Sequence, residues 1–193
     1  MKNLLKIISV VTLGVLLSFT FSKEKKVVVI DAGHGGTDLG ASRNGINEKE
    51  IVLKIAKKIK ALNQNQNLEI ILTRDDDTYP SLTDRTKKIN ELKPDFALSL
   101  HVNNSPRETT DCKGMEVFVQ ENEVSKKLAT KFSESFQDAK IRAGNLHILR
   151  ESKLPTILLE LGFMNNPDER NYLASEKGQS ETAEKILKFI DEN

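Results

Sequence analysis

The 193-residue chain has no tryptophan, only five prolines and a single cysteine, Cys112. One thiol closes no internal disulfide, so the hydrophobic core must supply the stability that cross-links give disulfide-bonded domains. Neither sign of charge dominates. Lys2 and Lys6 are the only charges of the first 22 residues, and the remainder carries 27 basic and 28 acidic side chains. That balance argues against nucleic acid as a partner. A long apolar run is also missing: the N-terminal stretch Ile7 to Phe19 falls short of the ~20 residues that a membrane-spanning helix needs.

That first stretch has another use. A lysine-bearing start, an apolar middle and the small residues Thr20 and Ser22 form the pattern of a secretory signal peptide over residues 1–22. An uncleaved anchor is the alternative reading. No cysteine directly follows the apolar stretch, so a lipoprotein anchor is not expected. The reading places a mature domain, residues 23–193, outside the cytoplasm, with no stable membrane span after cleavage.

Composition is that of an ordinary globular chain, 38% hydrophobic and 30% charged, with room for one domain and no linker or repeat. Strand-like and helix-like stretches alternate from Lys26 onward. This predicts an α/β fold: a single three-layer domain with a mixed, mostly parallel central sheet of about six strands flanked by helices. The strands are expected at Lys26–Asp31, Glu69–Thr73, Phe96–Leu100, Met115–Gln120, Leu146–Leu149 and Thr156–Leu161. Ile51, Ile55, Ile59 and Leu62 recur at helical spacing, with Asn47 and Glu50 placed as a capping box. A second helix is expected from Ser81, with Asp84 at the matching offset, to Leu92 before Pro94. Others are expected over Glu123–Ala139 and Ser180–Ile190.

Three segments hold the chemistry: Ile30-Asp-Ala-Gly-His-Gly-Gly36, Ser99-Leu-His-Val-Asn103 and Leu158-Leu-Glu-Leu-Gly-Phe163. Each follows or ends an apolar strand, and ligand sites of α/β sheets lie beyond strand carboxyl ends. Convergence there would join His34, His101 and Glu160. Two imidazoles and carboxylates are a catalytic zinc set, with a further carboxylate to move protons. Glu48, in the first turn of the first helix, can reach back towards His34, where the helix dipole favours its charge. Each residue also has a plain reading: His34 as a hydrogen-bonded residue at a strand end, Glu48 as a helix-start charge, and His147, otherwise a pocket residue, as a partly exposed strand position. Glu160 is harder to dismiss, because an acid inside Ile157-Leu-Leu-Glu-Leu is costly unless paired or functional.

The segments VVVIDAGHGGTDLGA, INEKEIVLKIA, ILTRDDD with LTDRTKKIN, FALSLHVN, KGMEVFV and LPTILLELGFMNNPDE, in this order, closely resemble the zinc-dependent N-acetylmuramoyl-L-alanine amidases of bacterial cell-wall metabolism. The resemblance runs from Lys26 to about Leu173. It implies one Zn2+ ion held by His34, Glu48 and His101, with Glu160 as the catalytic glutamate. Glu50 keeps a capping role. Arg74 and Arg85 are expected to make structural ion pairs with acids such as Asp75 or Asp84, and Asn103 to fix the loop after His101.

The implied reaction is hydrolysis of the amide between the lactyl group of N-acetylmuramic acid and L-alanine, in peptidoglycan or muropeptides, by an extracytoplasmic enzyme, periplasmic or secreted to the wall. A monomer is expected, and a protein activator or simple confinement would direct it. A zinc peptidase of related fold and a catalytically silent wall-binding regulator are the alternatives.

Overall fold

Val28, Ile30 and Ala32 point to one side of a strand while Val29 and Asp31 point to the other, and all five are buried. A strand covered on both faces belongs in the middle of a layered α/β sheet. The structure, a computed structural model, describes residues 25–120, 122–136 and 139–193. The expected signal segment, 1–22, lies outside the described residues.

Six strands form the main sheet: β1 (Lys26–Ala32), β4 (Leu68–Leu72), β5 (Phe96–Asn103), β6 (Glu116–Val119), β7 (Lys140–Ala143) and β8 (Thr156–Phe163). Their order is β4-β1-β5-β8-β6-β7. The first four are parallel, β6 runs antiparallel to β8, and β7 is parallel to β6. The two-residue strands β2 (Ser42–Arg43) and β3 (Ile46–Asn47) make a small hairpin before the first helix.

Helices α1 (Glu48–Leu62), α3 (Glu123–Ser135) and α6 (Glu176–Glu192) cover one face. The buried residues Ile51, Val52, Ile55, Ala56 and Ile59 of α1 follow the i, i+3, i+4 stripe of a core-facing helix. Phe132 of α3 and Phe189 of α6 meet edge to face, with centroids 4.9 Å apart. The other face is covered more sparsely by α2 (Leu82–Leu92) and α4 (His147–Glu151), whose Ile89, Ile148 and Leu149 pack on Val29, Ala97 and Leu158. Helix α5 (Pro167–Ala174) follows β8.

The expected three-layer architecture and mixed sheet are present, with four local corrections. The segment Leu146–Leu149 is not a strand: it leads into α4, and adjacent Ile148 and Leu149 both enter the same apolar cluster. The sixth strand is instead β7, whose Lys-Ile-Arg-Ala sequence is exposed throughout. Asn47 precedes α1 but forms no capping box, because its Oδ1 accepts a hydrogen bond from the Ser42 hydroxyl (2.8 Å) and its amide donates to Glu50. The last helix begins at Glu176, before the expected Ser180, and α3 stops at Ser135, short of Ala139. Ser81, by contrast, does form its capping box with Asp84, and Lys93 closes α2 in a left-handed conformation before Pro94.

Candidate metal centre and active site

Two buried arginines shape the turn that follows β1. Arg85 forms an ion pair with Asp31 (2.7 Å), whose carboxylate also accepts from the Thr73 and Ser99 hydroxyls, and it donates to the carbonyls of Ala32 and His34. Arg74 donates to the carbonyls of Ala32, Gly33, Lys49 and Asp76. The expected partners, Asp75 and Asp84, are thus replaced by Asp31 and by backbone oxygens. The physical reason is burial: a guanidinium inside the protein must find acceptors there, and the turn offers several.

This framework holds His34 at φ 59°, in the left-handed region, which few non-glycine residues adopt. The ring of His101, near the end of β5, lies directly over Gly33. A Cβ at position 33 would sit 2.4 Å from its Cε1, so only glycine fits here. Glu48 enters from the start of α1, beneath Gly40, whose φ is +64° and whose Cβ would meet the Glu48 carboxylate at 2.6 Å.

The result is a tight cluster. His34 Nε2 and Glu48 Oε1 are 3.0 Å apart, His101 Nδ1 and Glu48 Oε1 3.0 Å, and the two imidazole nitrogens 3.2 Å. Ligands of a tetrahedral zinc ion lie 2.0–2.2 Å from the metal and therefore about 3.3 Å from one another. The donor set fits such an ion in both type and spacing. The outer contacts agree: His34 Nδ1 is 2.8 Å from Asp38 Oδ2, and Glu48 accepts from the backbone amides of Ala41 (2.8 Å) and Val102 (3.0 Å). A carboxylate on the far nitrogen fixes the tautomer of a metal-binding histidine.

Charge is concentrated here. Burial alone would lower the pKa of His34, but the Glu48 carboxylate, followed by that of Asp38, lifts it to about 9. Burial would raise that of Glu48, yet the two imidazoles hold it well below the usual carboxylate range. Glu160 stands opposite His101 in the β5–β8 register and opposite Glu116 in the β8–β6 register. Burial, with the neighbouring charges of Glu48 and Glu116, pushes its pKa up to about 7 against the pull of His101. Its Oε2 is buried and has no hydrogen-bond partner among protein groups. A carboxyl group poised near neutrality is suited to taking and returning a proton.

All four residues singled out from the sequence, His34, Glu48, His101 and Glu160, therefore come together. Asn103 also acts as expected, accepting from the amide of Asn104, and it donates to Glu116. Asp38 and Glu116 were not singled out. Asp38 could have been found from its position four residues beyond His34 in a glycine-rich turn, whereas Glu116 is revealed only by strand register.

The N-acetylmuramoyl-L-alanine amidase model Amidase_3 matches residues 28–192. The chain belongs to this amidase family. It is 34% identical over 172 residues to an endolysin of Bacillus phage SPP1, an alignment covering 82% of this chain and 62% of the endolysin. The chain thus spans about three-fifths of that relative. Among solved structures, the catalytic domain of the amidase CwlV from Bacillus (Paenibacillus) polymyxa var. colistinus is 39% identical with a TM-score of 0.80. That match covers 86% of this chain and 97% of the CwlV domain. The CwlD amidase from Clostridioides difficile, solved in complex with the GerS lipoprotein, is 27% identical with a TM-score of 0.77, covering 87% of this chain and 98% of that one.

Proposed function

We propose that the protein is a zinc-dependent N-acetylmuramoyl-L-alanine amidase that cuts the amide between N-acetylmuramic acid and L-alanine in peptidoglycan, outside the cytoplasm. The observation that carries this reading is the 3.0–3.2 Å convergence of His34, Glu48 and His101 beside a buried, unpartnered Glu160 oxygen. Membership of the amidase family supports the substrate class. His34 Nε2, Glu48 Oε1 and His101 Nδ1 would hold one Zn2+, which when bound supplies a Lewis acid that polarises a carbonyl and lowers the pKa of water to about 7.

The chain's own groups do the rest. Glu160 removes the proton from the attacking water and delivers it to the amine nitrogen of L-alanine as the C–N bond breaks, acting first as base and then as acid. Asp38 keeps the His34 ring oriented with Nε2 towards the ligand position. Arg74 and Arg85 hold the Ala32–His34 backbone through its carbonyls, so the first ligand does not drift when substrate enters.

No helix among the described residues is long and apolar enough to cross a membrane. The proposed leader 1–22 would export a monomeric domain, and a protein activator is a reasonable partner, since the similar CwlD structure contains a lipoprotein.

The test is incubation of the mature chain with purified peptidoglycan, with and without chelator, beside Glu160→Gln, reading products by mass. Release of peptides beginning at L-alanine, abolished by chelator and reduced by about 10²–10⁴ in the variant with zinc content unchanged, is expected. Cleavage between amino acids would make the protein a peptidase, and no cleavage with metal bound would make it a binding protein or one lacking its activator.

A further inference from the structure

The sheet face bearing His101 and Glu160 is thinly covered, and between the start of α2 and the start of α4 it leaves a cavity of about 200 Å3 beside His34 and His101. Asp31, Ser99 and Leu158 form its floor. Its mouth is ringed by Tyr79, Leu82 and Leu146, which are 51%, 53% and 37% exposed. Large apolar side chains gathered at one opening mark a recognition surface. His147 lines the same wall, with Nε2 buried and unpaired with any protein group. An imidazole nitrogen so placed is destabilising until something bonds to it.

Charge distinguishes this side of the site from the other. Asp31 and Arg85 neutralise each other in the cavity, and the exposed charge of its wall, among the described residues, is the carboxylate of Asp38. Across His101 and Glu160 the same face continues onto β6 and β7. There Glu116 lies beside Lys140, and Arg142 reaches Glu116 at 3.0 Å, half exposed, leaving that flank with a positive excess. The two halves of the proposed substrate differ in the same sense. In the amide, the N-acetylmuramoyl half has lost its carboxylate and is an uncharged ring with apolar C–H faces, whereas a stem peptide ends in carboxylates.

We propose that the cavity bounded by Tyr79, Leu82, Leu146 and His147 is the saccharide subsite, taking the N-acetylmuramoyl ring, while the peptide lies over the β6–β7 flank. The pyranose face packs on Tyr79, and the N-acetyl or hydroxyl groups approach His147, whose buried Nε2 they reach when the ring turns towards the cavity. Apolar walls with one or two convergent polar groups are what such a ligand requires. This assignment rests on the amidase reading, but it can be tested apart from it.

Because the chain has two tyrosines and no tryptophan, zinc-loaded protein carrying Tyr172→Phe reports on Tyr79 alone by its emission. Titration with N-acetylmuramic acid methyl ester should change that emission saturably, His147→Ala should raise the Kd several-fold, and L-alanyl-D-glutamate should have no effect. In kinetics, Tyr79→Ala should raise KM for an N-acetylmuramoyl peptide by roughly 2–12-fold and leave a D-lactoyl peptide without the sugar unaffected. An emission change with the dipeptide but not the saccharide, or a Tyr79→Ala defect that persists on the D-lactoyl peptide, overturns the assignment. Saccharide binding without peptide release would uphold the subsite and sink the amidase reading. Peptide release with Tyr79 silent to saccharide would do the reverse.

Discussion

Replacing Gly33 by alanine adds one methyl group, yet it should disable the metal centre. The new Cβ would lie 2.4 Å from Cε1, 2.6 Å from Nε2 and 2.8 Å from Nδ1 of His101, where ordinary contact begins at 3.4 Å. The ring must therefore retreat by about 1 Å, since carbon atoms at such separations are steeply repulsive. Flanking backbone cannot yield in its place, because the carbonyl of Gly33 is held by Arg74 and its amide donates to Leu100. Metal sites tolerate ligand displacements of only about 0.2 Å. Removing a mere outer-shell contact weakens metal affinity by about 10–100-fold, so displacing a ligand should exceed that. Overpacking also costs about 1–3 kcal/mol, a drop of about 2–12 °C in Tm for a chain of this size. Zinc affinity measured by competition with a chromophoric chelator, with far-UV circular dichroism to confirm folding, decides the matter. Wild-type affinity in a folded Gly33→Ala protein would refute the assignment of His101 as a ligand packed on Gly33.

Two further outcomes follow from the polar contacts. Asp38→Asn keeps the shape but removes the charge beside His34 Nδ1, and zinc affinity should fall by about 10–100-fold; an unchanged chelator competition curve would make Asp38 a bystander. Arg85→Met leaves Asp31 buried without its cation and should cost about 3–5 kcal/mol, read in urea melts. The same pair sets acid stability: although burial opposes it, Arg85 and the Thr73 and Ser99 hydroxyls hold the Asp31 pKa below its ordinary value. Its stabilisation is thus complete above about pH 4, the unfolded value, and is lost as the pH falls through the folded one. Urea midpoints of the wild type should decline below about pH 4 more steeply than those of Asp31→Asn, and parallel curves would contradict the argument.

The residues that announced the site did so because chemistry had overridden local preference. Glu160 interrupts an apolar strand, and His34 interrupts a run of glycines, and both interruptions are visible without coordinates. The central strands were legible for the opposite reason: β1, β5 and β8 are buried on both faces along most of their length and read as mainly apolar runs. What escaped was written in contacts alone. Strand β7 has no buried face to impose an alternation, so nothing marks Lys140–Ala143 as a strand until β6 pairs with it. Leu146–Leu149 carries the apolar content of a strand, yet the fold uses it to plug the gap beside α2. Arg85 could not be matched to Asp31 because 54 residues separate them, and near neighbours such as Asp84 were the nearer choice. Helix α5 did leave a trace, since Asn166-Pro167 is a start signal, with the Asn166 side chain accepting from Asp168 and Glu169.

The clasp between Lys26 and the carbonyl of Ile190 fixes how the catalytic mouth is aimed. It joins the beginning of β1 to the end of α6, so the chain enters and leaves the described fold at one pole. The seven residues of β1, spanning about 20 Å at 3.3 Å each, run from that pole towards the His34, Glu48 and His101 cluster at the other. Lys25 and Asn193, the outermost described residues, thus lie at the end of the fold away from His34, Glu48 and His101. The end that carries His34, His101 and Glu160 is thereby left clear of both outermost described residues, open to a ligand larger than the site itself.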